Sequence, residues 1–294
     1  MPSKPSTSGH RRRAQRLAVS LAILALVATA CSGTSSSGSN GDGPAGATTT
    51  SAVALQPLEQ PASRCGTATT KATLVRFQAA DGTGLNGVLV GRGPAGVVLV
   101  HQYPSDLCGF WPFATYLAKR GLRAFAIDLR CFGRSACPEG EAKGQVVDDL
   151  DAAAAELRRR GVTRVALVGA SMGGAAVLIA GTKLQPPAAA VVSLSGEADP
   201  TNLVGGIPLN AGAAVGQLRV PTMFVVATND RYVSVQETRA MHRAVKTGDK
   251  RLEVLSGDFD GLHGWELLRN PATGEEFGPV AAKVTAFLTA HSRG

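Results

Sequence analysis

The chain has 294 residues, of which 44% are hydrophobic, 18% charged and 5% aromatic, the composition of one ordinary globular domain with additional tails. A collagen, a coiled coil and a wholly disordered chain are excluded. The net charge is +8, but residues 1–30 hold five basic residues and no acidic one, and the remainder has 25 basic against 22 acidic residues. No basic stripe interleaved with aromatic residues remains to follow a phosphate backbone, so we expect no nucleic-acid partner.

The first residues have the layout of an export signal. A basic cluster at residues 11–16 precedes an uncharged, mostly apolar run at residues 17–30. At about 1.5 Å per residue this run would span roughly 21 Å as a helix, short of the roughly 30 Å hydrocarbon core of a bilayer. A cleaved signal is therefore favoured over a permanent transmembrane span.

The end of this signal, Val27-Ala28-Thr29-Ala30-Cys31, resembles the lipobox of bacterial lipoproteins, in which the cysteine becomes the lipid-modified first residue of the mature chain. The resemblance implies a lipid anchor at Cys31 and a place on the outer face of the bacterial cell membrane. Ala28 stands where the lipobox usually has Leu, and ordinary signal cleavage with secretion is the alternative.

The segment behind Cys31 is predicted to be a flexible tether. Residues 32–50 hold almost no large apolar side chain, and burial therefore cannot offset the entropy lost on ordering them. We place the export signal at residues 1–31, the tether at residues 32–64 and the folded domain at residues 65–294.

Four cysteines remain once Cys31 is set aside, and in an exported protein an even number indicates disulfide bonds, with three possible pairings. Cys131 and Cys137 are close enough in sequence to close a tight loop. The pair Cys65 and Cys108 then follows by elimination. A metal cluster is the rival interpretation, but no CxxC or His/Cys ligand spacing supports it, and we expect no metal site.

Short apolar runs typical of strands alternate with helical segments along the domain. Several runs are continuously apolar, as in strands buried on both faces of a parallel sheet. The segment Asp81-Gly82-Thr83-Gly84 predicts a hairpin turn. We expect an α/β fold with a mostly parallel eight-stranded sheet, an antiparallel start and helices on both faces. The strand candidates are residues 72–78, 85–90, 97–101, 122–127, 165–168, 189–194, 222–227 and 252–255.

Two helices carry their own start or stop signals. Residues 142–160 place apolar side chains on one face of a helix that Gly161 ends. Ser234 and Glu237 have the spacing of a capping box, which predicts that a second helix begins at Val235.

The sequence Gly169-Ala170-Ser171-Met172-Gly173 is a G-x-S-x-G motif between a strand candidate and an apolar helix at residues 175–180. This is the setting of a nucleophile elbow, a sharp turn that presents a nucleophile at the carboxyl edge of a sheet. Side chains at positions 169 and 173 would clash with the crowded turn. The motif predicts Ser171 as the nucleophile. The alternative is a Gly-rich turn whose serine only caps the helix.

The order of the motifs resembles the α/β-hydrolase superfamily from about residue 72 to the end. Residues 97–104 resemble its strand followed by a His-Gly turn, residues 126–135 its D-x-R-G-x-G-x-S segment, and His263-Gly264 the place of its catalytic histidine. The segment at residues 263–268 also resembles the dienelactone-hydrolase-like branch, although that enzyme uses a Cys nucleophile. The resemblance implies the α/β-hydrolase fold. With only about 27 residues between the strands near positions 194 and 222, we expect little or no lid.

A serine hydroxyl needs a base to accept its proton during attack, and histidine has the pKa for this task. His263 follows the last strand candidate and is the predicted base. His242 falls inside a helix, His291 is in the tail and His101 lies in the turn expected to bind the oxyanion. A structural role for His263 is the alternative.

The third member of the predicted triad is a carboxylate that orients the imidazole. Asp230 directly follows a strand candidate and gives the order Ser, Asp, His. Asp199, after the preceding strand, is the alternative. Asp258 and Asp260 are predicted loop residues, and the resemblance implies a structural role for Asp128.

The charge that develops on the acyl oxygen must be met by two backbone N–H groups. Met172, the residue after the nucleophile, supplies one, and the resemblance implies that Tyr103 supplies the other. Gln102 stands where the family usually has Gly. Either the turn tolerates Gln or the second donor is displaced.

The sequence thus predicts an exported, cofactor-free serine hydrolase that cleaves carboxylic esters of small or exposed acyl groups through an acyl intermediate on Ser171. Thioester, lactone and amide cleavage by the same residues stay open. The alternative of another class is a catalytically inactive hydrolase-fold lipoprotein that binds an envelope ligand. A dinucleotide-binding module is disfavoured because no G-x-G-x-x-G follows the first buried strand.

Overall fold

The computed structural model describes residues 57–66 and 70–292; Cys31, the predicted signal and most of the predicted tether lie outside these ranges. Eight strands form one sheet in the order β1-β2-β4-β3-β5-β6-β7-β8. Strand β2 is antiparallel to both of its neighbours, and all other pairs are parallel, which confirms the predicted sheet. The strands are β1 Thr73–Gln78, β2 Gly84–Val90, β3 Ala95–Val100, β4 Arg123–Asp128, β5 Arg164–Ala170, β6 Val191–Leu194, β7 Thr222–Ala227 and β8 Lys250–Leu255.

Helices cover both faces of the sheet. Alternate residues of β3 enter different apolar clusters, Val98 and Val100 on one face and Val97 and Leu99 on the other, because successive side chains of a strand point to opposite faces. In the described ranges no helix has the length and apolarity needed to cross a bilayer. The helices are α1 Pro61–Arg64, α2 Trp111–Ala118, α3 Val146–Arg159, α4 Met172–Lys183, α5 Ala211–Ala214, α6 Val235–Ala244 and α7 Pro279–Ser292.

One helix start and one half of the predicted capping box differ from the sequence prediction. Helix α3 begins at Val146 because the residues before it, Gly140–Gly144, form a 3-10 turn. Helix α6 begins at Val235 as predicted, and Ser234 Oγ accepts a hydrogen bond from Glu237 N at 3.0 Å. The Glu237 carboxylate, however, accepts from Ala198 N at 2.5 Å. This half of the capping box therefore ties α6 to the loop after β6.

Both predicted disulfide pairs are bonded in the structure: Cys65 with Cys108, and Cys131 with Cys137. An ion-pair cluster beside the first bond explains how residue 65 reaches the carboxyl end of the sheet. Arg64 lies 2.7 Å from Asp106 and 2.7 Å from Asp128.

Asp128 is fully buried at the end of β4, and a buried carboxylate needs a cationic partner. That need fits the structural role expected for Asp128. Residues 57–64, the end of the predicted tether, consequently contact the domain: Glu59 pairs with Arg134 at 2.8 Å.

Candidate active site

The turn between β5 and α4 places Ser171 alone between strand and helix. Its backbone has φ +50° and ψ −119°, a conformation that non-glycine residues rarely adopt. A Cβ at Gly169 would overlap the carbonyl of Gly173, and a Cβ at Gly173 would overlap the carbonyl of Val100. The turn therefore has the sharpness of the predicted elbow and excludes side chains at these two glycines.

His263 and Asp230 meet at the same edge of the sheet. His263 follows β8 and Asp230 follows β7, and His263 Nδ1 lies 2.8 Å from Asp230 Oδ1. Burial raises the pKa of Asp230, but hydrogen bonds from His263 and from Tyr232 N outweigh it and lower the pKa overall. The ionised carboxylate fixes the hydrogen of the neutral ring on Nδ1 and leaves Nε2 free to accept a proton.

The alternative carboxylate, Asp199, does not face the imidazole. It is exposed, and its Oδ1 accepts from the hydroxyl of Thr201 at 2.6 Å within its own loop.

His101 is buried beside the turn after β3 and serves as a backbone anchor. Leu129 N donates to its Nε2 at 3.2 Å, so Nδ1 carries the hydrogen and donates to the carbonyl of Gln102 at 3.0 Å. Burial lowers the pKa of His101, in keeping with this neutral form. In a planar trans peptide the N–H of Tyr103 points away from the Gln102 carbonyl that His101 holds.

Gln102 adopts no left-handed backbone angle, so this turn accommodates Gln where the family usually has Gly. On the other side of the site, Met172 is the first residue of α4, where backbone N–H groups have no acceptor within the helix. Met172 N and Tyr103 N remain the predicted oxyanion donors.

Glu197, which the sequence reasoning missed, lies between the nucleophile candidate and the base candidate. Ser171 Oγ donates to Glu197 Oε1 at 3.1 Å, and the same oxygen lies 3.8 Å from His263 Nε2. The residue is 4% exposed. Burial raises the pKa of Glu197, opposed by the nearby His263 and by the hydrogen bond from Ser171. Ser171 thus directs its hydrogen to a carboxyl and not to the imidazole.

The loop after β6 brings Glu197 to the elbow through close backbone packing. A Cβ at Gly196 would overlap Gly174 in the first turn of α4. A sequence signal existed, since Ser195-Gly196-Glu197 directly follows a buried strand next to the elbow strand. Asp199, two residues further along the same loop, is the acid that the sequence prediction names at this strand end.

Ser171, Glu197 and His263 line one cavity of about 420 Å³. The ring of Tyr232 packs edge-on against the imidazole with centroids 4.7 Å apart. Residues 195–221 contribute only α5 and a 3-10 turn at Val215–Gln217, so no lid-sized helix covers the site. The arrangement offers a hydroxyl, a base with a free Nε2 and a second carboxyl in one partly open pocket.

Known proteins share this architecture. The model of a family described as serine aminopeptidase, S33, matches residues 93–214. The esterase Pf2001 of Pyrococcus furiosus has a TM-score of 0.65 at 18% identity, over 80% of this chain and 95% of that one. A thermophilic esterase from Thermogutta terrifontis gives 0.57 at 20% identity, over 76% and 100%. An enol-lactonase from Burkholderia xenovorans LB400 gives 0.56 at 16% identity, over 72% and 99%.

No curated protein matches the chain. The solved structures show the α/β-hydrolase fold. The match to a hydrolase family model over residues 93–214 is in keeping with this fold.

Proposed function

We propose that this protein is a serine hydrolase that cleaves carboxylic esters through an acyl intermediate on Ser171. The observation that carries the proposal is the shared cavity of a serine on a strained strand-to-helix turn and a histidine whose Nδ1 is held by a buried aspartate. This combination activates a hydroxyl that is otherwise a poor nucleophile.

The first half of the proposed reaction forms the acyl-enzyme. Ser171 Oγ attacks the carbonyl carbon while its proton passes to His263 Nε2, and Asp230 stabilises the imidazolium. The oxyanion accepts hydrogen bonds from Met172 N and Tyr103 N. The tetrahedral intermediate collapses, the bond to the alcohol oxygen breaks, and His263 returns the proton to that oxygen.

The second half releases the acid. Water gives a proton to His263 Nε2 and attacks the acyl carbon, and the imidazolium then protonates Ser171 Oγ as the acyl bond breaks. The short segment at residues 195–221 supports entry of exposed acyl groups without lid opening. Thioesters, lactones and amides would use the same residues.

We further propose that the enzyme acts outside the cytoplasm, anchored by a lipid on Cys31 to the outer face of the membrane. The support is the basic, then apolar, then Cys31 order of the first 31 residues. Secretion without a lipid is the alternative.

The test is hydrolysis of 4-nitrophenyl acetate and butyrate by the wild type and by Ser171→Ala. We expect kcat to fall by about a million-fold, the usual cost of removing a triad nucleophile. Ser256→Ala, which removes an exposed hydroxyl after β8, is the matched control and should keep wild-type activity. Comparable turnover by Ser171→Ala would contradict the proposal. A folded wild type without turnover would favour the ligand-binding alternative.

A further inference from the structure

A second cavity adjoins the candidate active site and is larger than it. Its volume is about 740 Å³, against about 420 Å³ for the cavity of Ser171. Both are lined by Tyr103, Pro104 and Val204, so the two cavities adjoin at these three residues. We refer to the larger space as the side cavity.

The walls of the side cavity come from two loops that are distant in sequence. One wall is the loop after β4, closed by the disulfide between Cys131 and Cys137 and carrying Phe132. The opposite wall is the segment at residues 204–208, which crosses from β6 and meets the first wall where Gly144 approaches Pro208. The disulfide therefore shapes a wall of this cavity.

Several apolar side chains line the side cavity. Phe132, Val204, Ile207 and Pro208 contribute apolar surface, whereas Glu141 and Lys143 are exposed and keep their charges in solvent. A concave, mainly apolar site of this volume has the size that holds a drug-sized ligand. It fits an apolar group much larger than acetyl.

Its position relative to His263 indicates which part of an ester would enter. In the sheet order, β3 and β4 lie on one side of the elbow strand β5, and β7 and β8, which position Asp230 and His263, lie on the other. The leaving oxygen must face His263 Nε2 to receive its proton. In the described ranges, none of the residues that line the side cavity follows β7 or β8, and it adjoins the cavity of Ser171 at Tyr103, Pro104 and Val204, away from His263.

The residues at the mouth of the Ser171 cavity also favour an apolar substrate. Tyr103, Leu203 and Tyr232 are three of the four large hydrophobic residues exposed in the described ranges, and all three line the cavity of Ser171. Tyr103 also packs edge-on against Phe132, with ring centroids 5.9 Å apart. Apolar side chains are therefore continuous from the mouth of the Ser171 cavity to the wall of the side cavity.

We propose that the side cavity is the acyl subsite and that the substrates are esters of bulky apolar acids, such as medium-length aliphatic acids. This inference rests on the proposed esterase function and replaces the small acyl group expected from the sequence. The sequence could not indicate it, because the cavity exists only where residues 131–145 meet residues 204–208.

The first experiment measures kcat/KM for 4-nitrophenyl acetate, butyrate, hexanoate and octanoate. Burial of each added methylene is expected to raise kcat/KM by up to about fourfold, or up to about 250-fold over the four methylenes from butyrate to octanoate. Ile207→Trp fills the cavity and should abolish this rise while changing acetate hydrolysis less than about twofold. Val254→Trp, the same kind of change on exposed β8, should keep the rise. Gln145→Trp from the opposite wall replaces Ile207→Trp if the latter does not fold.

A second measurement does not need catalysis. Ser171→Ala should bind octanoate more tightly than butyrate by titration calorimetry, and adding Ile207→Trp should remove the difference. Octanoate binding without turnover by the wild type would refute the esterase function and leave the cavity assignment standing. Turnover with no dependence on acyl length would overturn the acyl subsite and leave the esterase standing. The acyl subsite would also be overturned if kcat/KM rose with the length of the alcohol in alkyl acetates and did not rise with the length of the acyl group.

Discussion

Ser171 shares one pocket with two groups that can accept its hydroxyl hydrogen, the carboxylate of Glu197 and Nε2 of His263. Which of them holds the hydrogen decides whether the hydroxyl is ready to attack. Its hydrogen is directed to Glu197 Oε1 at 3.1 Å, and that oxygen lies 3.8 Å from His263 Nε2. Attack requires the hydrogen to turn to Nε2. An ionised Glu197 opposes attack because it holds the hydroxyl hydrogen more strongly than a neutral carboxyl does.

Glu197→Gln removes this negative charge at nearly constant volume. An amide oxygen accepts the Ser171 hydrogen less strongly than an ionised carboxylate does, so the ratio of kcat/KM for Glu197→Gln to that for wild type should rise with pH as the wild-type Glu197 ionises. Asp199→Asn changes an exposed carboxylate two residues away and is the control, with a ratio that does not change with pH. A ratio for Glu197→Gln that is equal at low and high pH would show that the charge does not restrain the hydroxyl.

The raised pKa of Glu197 also predicts how stability depends on pH. Burial makes its ionisation more costly in the folded than in the unfolded chain, so stability is lost as the pH rises through the folded-state pKa. Glu197→Gln cannot ionise and escapes this loss. The melting temperature of Glu197→Gln minus that of the wild type should therefore be larger at about pH 8 than at about pH 5. A difference that is equal at both pH values, or larger in acid, would contradict the direction of the pKa shift.

At the scale of elements, the strand-to-helix turn depends on backbone contacts that only glycine permits. Gly173→Ala would drive a Cβ into the carbonyls of Val100 and His101, at the end of β3 and the start of the oxyanion turn. We expect a loss of about 1–3 kcal/mol of unfolding free energy in urea, together with reduced kcat. Gly216→Ala, whose Cβ would meet nothing within 4 Å, is the matched control. Equal stability of the two variants would refute the crowded turn.

At the scale of the whole molecule, the two disulfides restrain very different lengths of chain. Cys65 and Cys108 are 43 residues apart, whereas Cys131 and Cys137 are 6 apart. On the chain-entropy model, replacing both cysteines of the longer loop by Ser lowers the free energy of unfolding by about 4 kcal/mol. The same replacement in the shorter loop lowers it by about 2 kcal/mol. Denaturant unfolding of the two double variants measures this order. The reverse order in stability would contradict the entropic account.

The shorter loop forms a wall of the side cavity. Removal of its disulfide should therefore lower octanoate hydrolysis more than removal of the Cys65–Cys108 disulfide does.

The sheet could be predicted from sequence because buried parallel strands leave continuous apolar runs, as in β7, whose predicted bounds match the structure. The elbow could be predicted because its crowding is local and demands glycine at positions 169 and 173. The position of Glu197 at a strand end left a signal in the sequence, but its contact with Ser171 and the side cavity could not be predicted. The contact of Glu197 with Ser171 joins residues 26 apart through two neighbouring strands, and the cavity depends on how two remote loops meet. Arg64 was missed for the same reason, since its partner Asp128 lies 64 residues away.

Reaction with a fluorophosphonate, followed by mapping of the modified peptide by mass spectrometry, tests whether Ser171 is a nucleophile activated by His263. We expect one stoichiometric adduct on Ser171 in the wild type and none in folded Ser171→Ala. An adduct on another residue, or an unmodified Ser171 in folded wild-type protein, would contradict this expectation.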